Sequence, residues 1–150
     1  MAKPPITRIM VLADGSERSF LAAALAIHLA KSCGAKISAL AVVDTDTLRQ
    51  LLTHRILAAQ EMIDLEVELE ASARQHLERL RAMALEGKVV LEQILVRGPW
   101  HTSALTEQRE LAADLIVLPA FKSNQANRDL LCREYQKIID EAPCPIMLVK

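Results

Sequence analysis

Residues 6–13, with the sequence ITRIMVLA, are followed directly by an Asp-Gly-Ser turn sequence at 14–16. Residues 6–13 are mostly apolar and β-branched, which is typical of a strand buried on both faces of a parallel sheet. Ser16 can cap a following helix, Ser19 is a competing cap, and Gly34 is placed to end that helix. We therefore predict a strand, a turn and a helix in succession.

Further strands are predicted at 37–43, 89–96, 114–118 and 146–149 from their short apolar runs. Helices are predicted at about 102–112 and 128–141, and the whole of 47–86 has helical character. One helix of that length would be about 60 Å long, so we expect a break near 54–60. Strand and helix alternate five times, which predicts an α/β fold with a doubly wound parallel sheet. We expect one domain over residues 1–150.

Two helix faces are predicted from apolar residues that recur at helical spacing. The face in the first helix consists of Leu21, Ala24, Leu25, His28 and Leu29. The stripe in the long helical region consists of Leu69, Ala73, Leu77, Leu80 and Ala84.

Composition excludes several classes of protein. The formal net charge of the 150 residues is −1, so a cationic face for nucleic acid is not expected. The four aromatic residues are too few and too scattered to form a base-stacking platform. The sequence contains no run of 18 apolar residues, so no membrane span is predicted. Three cysteines without a Cys-x-x-Cys motif, and no signal-like segment at the N-terminus, favour a cytoplasmic location.

Several segments together resemble the universal stress protein family over nearly the whole chain. They are IMVLADGS at 9–16, ALAVVD at 39–44, VRGP at 96–99, ADLIV at 113–117 and APCPIMLV at 142–149. The resemblance implies a flavodoxin-like fold with strand order 3-2-1-4-5 and helices on both faces. It also implies a homodimer in which the last strand, Ile146 to Val149, pairs with its copy.

Nucleotide-binding members of the family carry a motif Gly-x2-Gly-x9-Gly-[Ser/Thr] after the fourth strand, whose backbone N–H groups wrap the phosphates. Laid onto this chain, the glycine positions fall on Pro119, Lys122 and Cys132, and the Ser/Thr position falls on Arg133. Proline has no N–H, and the other residues place side chains where backbone should approach phosphate. The chain has four glycines, at 15, 34, 87 and 98, and none lies in this segment.

The candidate cleft residues lie at the carboxyl ends of the strands, where doubly wound folds bind ligands. They are Asp14, Gly15, Val42, Val43, Gly98, Lys122, Ser123 and Arg133. Asp14 could contact a ligand or close an Asx turn. The loop from Lys122 to Arg128 could form a side-chain anion site, or it could be a solvated loop with Asn127 as a helix cap.

Other features favour structural roles. The four histidines are not spaced as metal ligands, so no metal site is expected. Cys132 could be activated by the nearby Arg133, although a packed, unreactive cysteine is the preferred interpretation. The acidic run from Glu61 to Glu70 could dock a basic partner or simply form a solvated helix face.

These observations favour a dimeric stress-response or regulatory protein that binds no nucleotide and acts through contacts with protein partners. The first alternative is an ATP- or AMP-binding module in which Lys122 and Arg133 replace the glycine loop. An enzyme, either a slow nucleotide hydrolase or a redox protein using Cys132, is the third hypothesis, since no catalytic signature is present.

Overall fold

The structure is a computed structural model that describes residues 5–122 and 129–150. Its five strands are β1 (Arg8–Leu12), β2 (Lys36–Val43), β3 (Leu91–Arg97), β4 (Leu115–Pro119) and β5 (Ile146–Val149). Its five helices are α1 (Glu17–Cys33), α2 (Thr45–Thr53), α3 (Ala59–Glu86), α4 (Trp100–Leu111) and α5 (Leu130–Glu141). The predicted break in the long helical region lies at 54–58, between α2 and α3.

The strands form one parallel sheet in the order β3-β2-β1-β4-β5. Along the central strand β1, Ile9 and Val11 face one core together with α1 and α3. Met10 and Leu12 face the other core together with α4 and α5. This alternation arises because successive strand residues point to opposite faces, and it confirms the doubly wound, flavodoxin-like prediction.

The buried face of α1 differs from the predicted one. Leu21 and Leu25 are exposed, whereas the residues packed on the sheet include Phe20, Ile27 and four alanines, Ala22, Ala23, Ala26 and Ala30. Ser16 caps the helix by accepting from the Ser19 N–H, and Gly34 ends it with a left-handed φ of 69°. The prediction of the helix ends is confirmed, but the prediction of its buried face was wrong because alanine gives a weak hydropathy signal.

Helix α3 packs on the sheet along its second half. Ala73, Leu77, Leu80 and Ala84 are buried there, as predicted. Leu69 is 40% exposed, so its assignment to the buried stripe was wrong. The first half, residues 59–72, contains no buried residue.

Helix α5 begins at Leu130, and Asp129 caps it by accepting hydrogen bonds from the backbone N–H groups of Leu131 and Cys132. Asn127, the cap suggested by the sequence, lies outside the described residues, and the N-cap of the described helix is Asp129. In the part of the chain that the structure describes, no helix is long and apolar enough to cross a membrane.

The half-packed α3 predicts contrasting effects for two similar truncations. Leu80→Ala should lower the free energy of unfolding by about 2–5 kcal/mol, because it leaves a cavity in the core. Leu69→Ala should cost less, about 1 kcal/mol, because the residue is already 40% exposed and its truncation leaves no closed cavity. Urea denaturation measures both, and equal losses would contradict the described packing of α3.

Candidate functional site

Asp14 lies just after β1, and its carboxylate accepts hydrogen bonds from Ser16 and Tyr135. Oδ1 accepts hydrogen bonds from the Ser16 backbone N–H at 2.8 Å and from the Ser16 hydroxyl at 2.6 Å. Oδ2 accepts a hydrogen bond from the Tyr135 hydroxyl at 2.5 Å. The first two bonds form the turn weighed in the sequence analysis, and the third joins β1 to α5.

Tyr135 lies in the cleft, by which we mean the space between the carboxyl ends of β1, β2 and β4 and helix α5. Burial raises the pKa of the Tyr135 hydroxyl well above its usual range, and the negative charge of Asp14 raises it further. The hydroxyl therefore remains a donor to Asp14 at neutral pH. The Tyr135 ring centroid is 6.3 Å from that of Trp100, edge to face, and 6.3 Å from that of Phe121.

Tyr135 forms a wall of a small cavity on the β4 side of the cleft. This β4-side cavity has a volume of about 200 Å³, and its lining includes Asp14, Pro119, Phe121 and Cys132. Sites for drug-sized ligands typically run from about 300 to 1,000 Å³, so the cavity is small for a nucleotide.

Cys132 is buried and lies in the wall of the β4-side cavity. Burial raises the pKa of the thiol, and the nearby carboxylates of Asp129 and Asp14 raise it further. Activation by Arg133 would require a lowered thiol pKa, so that suggestion was wrong. The raised pKa and the burial agree with a packed, unreactive cysteine.

A second small cavity lies on the β2 side of Asp14. This β2-side cavity has a volume of about 230 Å³, and its lining includes Val42, Val43, His76 and Trp100 as well as Asp14. The walls are largely apolar, so this half of the cleft suits a small, flat, weakly polar group.

Gly15 lies where α3 approaches the turn after β1. Its φ is 84°, which favours glycine, and a Cβ placed on it would lie 2.2 Å from Cε1 of His76. The His76 ring also meets the Phe20 ring edge to face. The His76 ring therefore covers the backbone of the turn at Gly15.

The predicted cationic residues do not share a cavity. Lys122 lines a space of about 230 Å³ together with Arg18, Phe121 and Lys150. Arg133 lines another, of about 320 Å³, together with Asp44, His101 and Glu134, among others. Ser123, predicted between them in sequence, lies outside the described residues.

Gly98 connects the end of β3 to α4. Its φ is 133°, and its N–H donates to the Val43 carbonyl oxygen at 3.1 Å. Beside it, the Arg97 guanidinium lies 3.0 Å from a Glu66 carboxylate oxygen and 2.5 Å from one of Glu70. This bridge ties the first half of α3 to the sheet.

Sequence reasoning missed the residues that fill the cleft, namely Tyr135, Trp100, Phe121 and His76. One available signal was the spacing of Cys132 and Tyr135, which are three residues apart and so share a face of α5. No group of three or more metal-ligating side chains occurs within residues 5–122 and 129–150.

The model of the universal stress protein family matches residues 5–150. The chain belongs to the universal stress protein family. Universal stress protein MJ0531 of Methanocaldococcus jannaschii is 28% identical over 143 residues, covering 95% of this chain and 81% of the relative. Universal stress protein YxiE of Bacillus subtilis is 28% identical over 149 residues, covering 95% and 98%. The resemblance inferred from the sequence motifs is confirmed.

Solved universal stress proteins share the fold. A family member from Burkholderia pseudomallei superposes with a TM-score of 0.75 at 19% identity, covering 99% of this chain and 98% of that one. A universal stress protein in complex with cAMP superposes with a TM-score of 0.69 at 16% identity, covering 97% of each chain. A universal stress protein from Archaeoglobus fulgidus in complex with dAMP superposes with a TM-score of 0.66 at 14% identity, covering 97% of this chain and 99% of that one. At these identities the likeness confirms the fold alone.

The bond between Asp14 and Tyr135 can be tested by a double-mutant cycle. Tyr135→Phe keeps the ring in place but removes the donor, so it should cost about 1–3 kcal/mol of unfolding free energy. Asp14→Ala and the double variant complete the cycle, and urea denaturation should give a coupling energy of about 1 kcal/mol or more. Additive effects would show that the bond contributes nothing to stability.

Proposed function

We propose that this protein is a universal stress protein of the type that does not bind ATP, acting as a non-enzymatic regulatory or protective protein through protein contacts. The observation that carries the proposal is the Tyr135 side chain, which lies in the cleft and donates to Asp14. Together with the two bonds from Ser16, it occupies three of the roughly four acceptor positions of the carboxylate, so a ligand that needs more than one of them would have to displace an internal donor. That displacement costs free energy unless the ligand replaces the bond.

The beginning of the loop after β4 gives independent support. Pro119 has no N–H to offer a phosphate, and it pairs with Val149 of β5 in the sheet. The next N–H, that of Ala120, donates to the Val149 carbonyl oxygen at 2.8 Å. The Ala120 carbonyl oxygen accepts from Arg18 Nη1 at 3.1 Å. The backbone that would begin a phosphate loop is thus already hydrogen-bonded within the protein.

The second candidate is a module that binds an adenine nucleotide, such as ATP or AMP. Family members of the same fold have been solved in complex with cAMP and dAMP. The β2-side cavity, with its apolar walls of Val42 and Val43, favours this candidate. Lys122 and Arg133 would have to supply the phosphate contacts, although they line different cavities.

Calorimetric titration separates the two candidates. The purified protein should give no binding heat with ATP, AMP or cAMP at ligand concentrations up to about 1 mM, which corresponds to less than about 4 kcal/mol of binding free energy. A micromolar Kd would overturn the first candidate. If binding appears, Lys122→Ala/Arg133→Ala should abolish it, and unchanged affinity would reject the proposed role of those side chains.

We also propose a homodimer formed through β5. This strand is at the edge of the sheet, and Leu148 on it is 46% exposed. An open strand edge favours pairing with another chain. Pairing with a second copy would cover the free edge of β5.

Light scattering after size exclusion tests the dimer. At about 10–100 μM the chain should elute as a dimer, and Leu148→Lys should convert it to a monomer, because lysine on an edge strand opposes strand pairing. Leu85→Lys makes the same change at an exposed leucine in the last turn of α3 and should leave the dimer intact. A monomeric wild-type protein, or a dimeric Leu148→Lys variant, would contradict the proposal.

A further inference from the structure

The first half of α3, residues 59–72, stands apart from the two cores of the protein. We call this segment the arm. Its 14 residues span about 21 Å, and none of them is buried. The bridge from Arg97 to Glu66 and Glu70 ties it to the end of β3. The arm is therefore held in place while most of its surface remains in contact with solvent.

The arm carries large apolar side chains that no other part of the described structure covers. We call the side of the arm that bears Ile63 and Val67 its outer face. Ile63 is 51% exposed and Val67 is 63% exposed. They are four residues apart, so they are neighbours on one face of the helix. Ile56, just before the helix, is 64% exposed as well. A single exposed aliphatic residue needs no explanation, but three exposed aliphatic residues within 12 positions indicate a contact surface.

Acidic side chains border this apolar stripe on both sides. By helical geometry, Asp64 and Glu68 form the adjacent row on one side, and Glu66 and Glu70 form the row on the other. Arg97 neutralises part of the second row. Within the described parts of the chain, no ion pair involves Asp64 or Glu68. The stripe is thus apolar at its centre and negative at its rim.

We propose that the outer face of the arm binds a basic amphipathic helix of a protein partner. Apolar side chains of that helix would cover Ile63 and Val67, and its lysines or arginines would face Asp64 and Glu68. Helices that lay an apolar face on a partner use this combination of anchors and rim charges. The proposal rests on the proposed function through protein contacts and names the class of partner.

The charge of the arm argues against the other occupants. In a second copy docked face to face, Asp64 and Glu68 would oppose their own equivalents, and like charges across an interface are costly. Nucleic acids and anionic membranes carry the same sign of charge as the arm. A positively charged protein segment is the occupant that satisfies both the stripe and its rim.

The test uses the full chain and a fluorescein-labelled 18-residue peptide with leucines at helical spacing and lysines elsewhere. Fluorescence anisotropy should show binding with a Kd of about 100 μM or tighter, weakening as salt is added. A matched peptide with glutamate in place of lysine should not bind. Absence of binding by the lysine peptide would overturn the proposal, as would equal binding of both peptides.

Variants locate the binding on the arm. Ile63→Ser/Val67→Ser should weaken binding at least about tenfold, because it removes the apolar anchors. Leu85→Ser/Val90→Ser removes two comparably exposed aliphatic side chains elsewhere and should leave the affinity within about twofold. Glu61→Gln/Asp64→Asn/Glu68→Gln should weaken binding and flatten its salt dependence. Equal affinities for the first two variants would overturn the assignment to the arm.

This experiment is independent of the nucleotide titration, because the variants lie outside the residues that line the cleft. Peptide binding together with ATP binding would reject the non-nucleotide proposal and keep the docking surface. The absence of both would reject the docking surface and keep the non-nucleotide proposal.

Discussion

The hydrogen bond from the Tyr135 hydroxyl to the Asp14 carboxylate is the constraint on which the character of the cleft depends. Asp14 is fixed because it follows the central strand β1, which is hydrogen-bonded to β2 and β4 and covered by helices on both faces. Tyr135 is fixed because its ring packs among Trp100 and Phe121. With both ends held, Asp14 stays between the two small cavities at the carboxyl end of the sheet, and it lines both of them.

Much of the fold could be predicted from the sequence, because its signals are local. The order of strands and helices follows from short apolar runs and turn residues, and the strand order followed from the resemblance to the family. The buried face of α1 could not be found in this way. Alanines are among the residues most often fully buried, yet they contribute little to an apolar pattern, and the more conspicuous Leu21 and Leu25 remain in solvent.

The candidate site was only partly predictable. The absence of the family glycines pointed to a changed cleft, and Asp14 was correctly placed at the end of β1. What fills the cleft depends on a contact between residues 121 positions apart, and no local pattern predicts such a pairing. Lys122 and Arg133 are 11 residues apart in sequence, but α5 directs Arg133 toward α2 and α4, away from the cavity that Lys122 lines.

Family members with this frame can therefore differ in function, since the sheet is shared while the loops and helix ends decide what binds. In this chain Asp14 and Ala120 are hydrogen-bonded within the protein, and our proposal that it binds no nucleotide rests on these contacts. The direct test is mass spectrometry of the supernatant after the protein, purified without added nucleotide, is denatured. The account predicts that no adenine nucleotide is released. Release of ATP, AMP or a cyclic nucleotide in near-stoichiometric amount would contradict it.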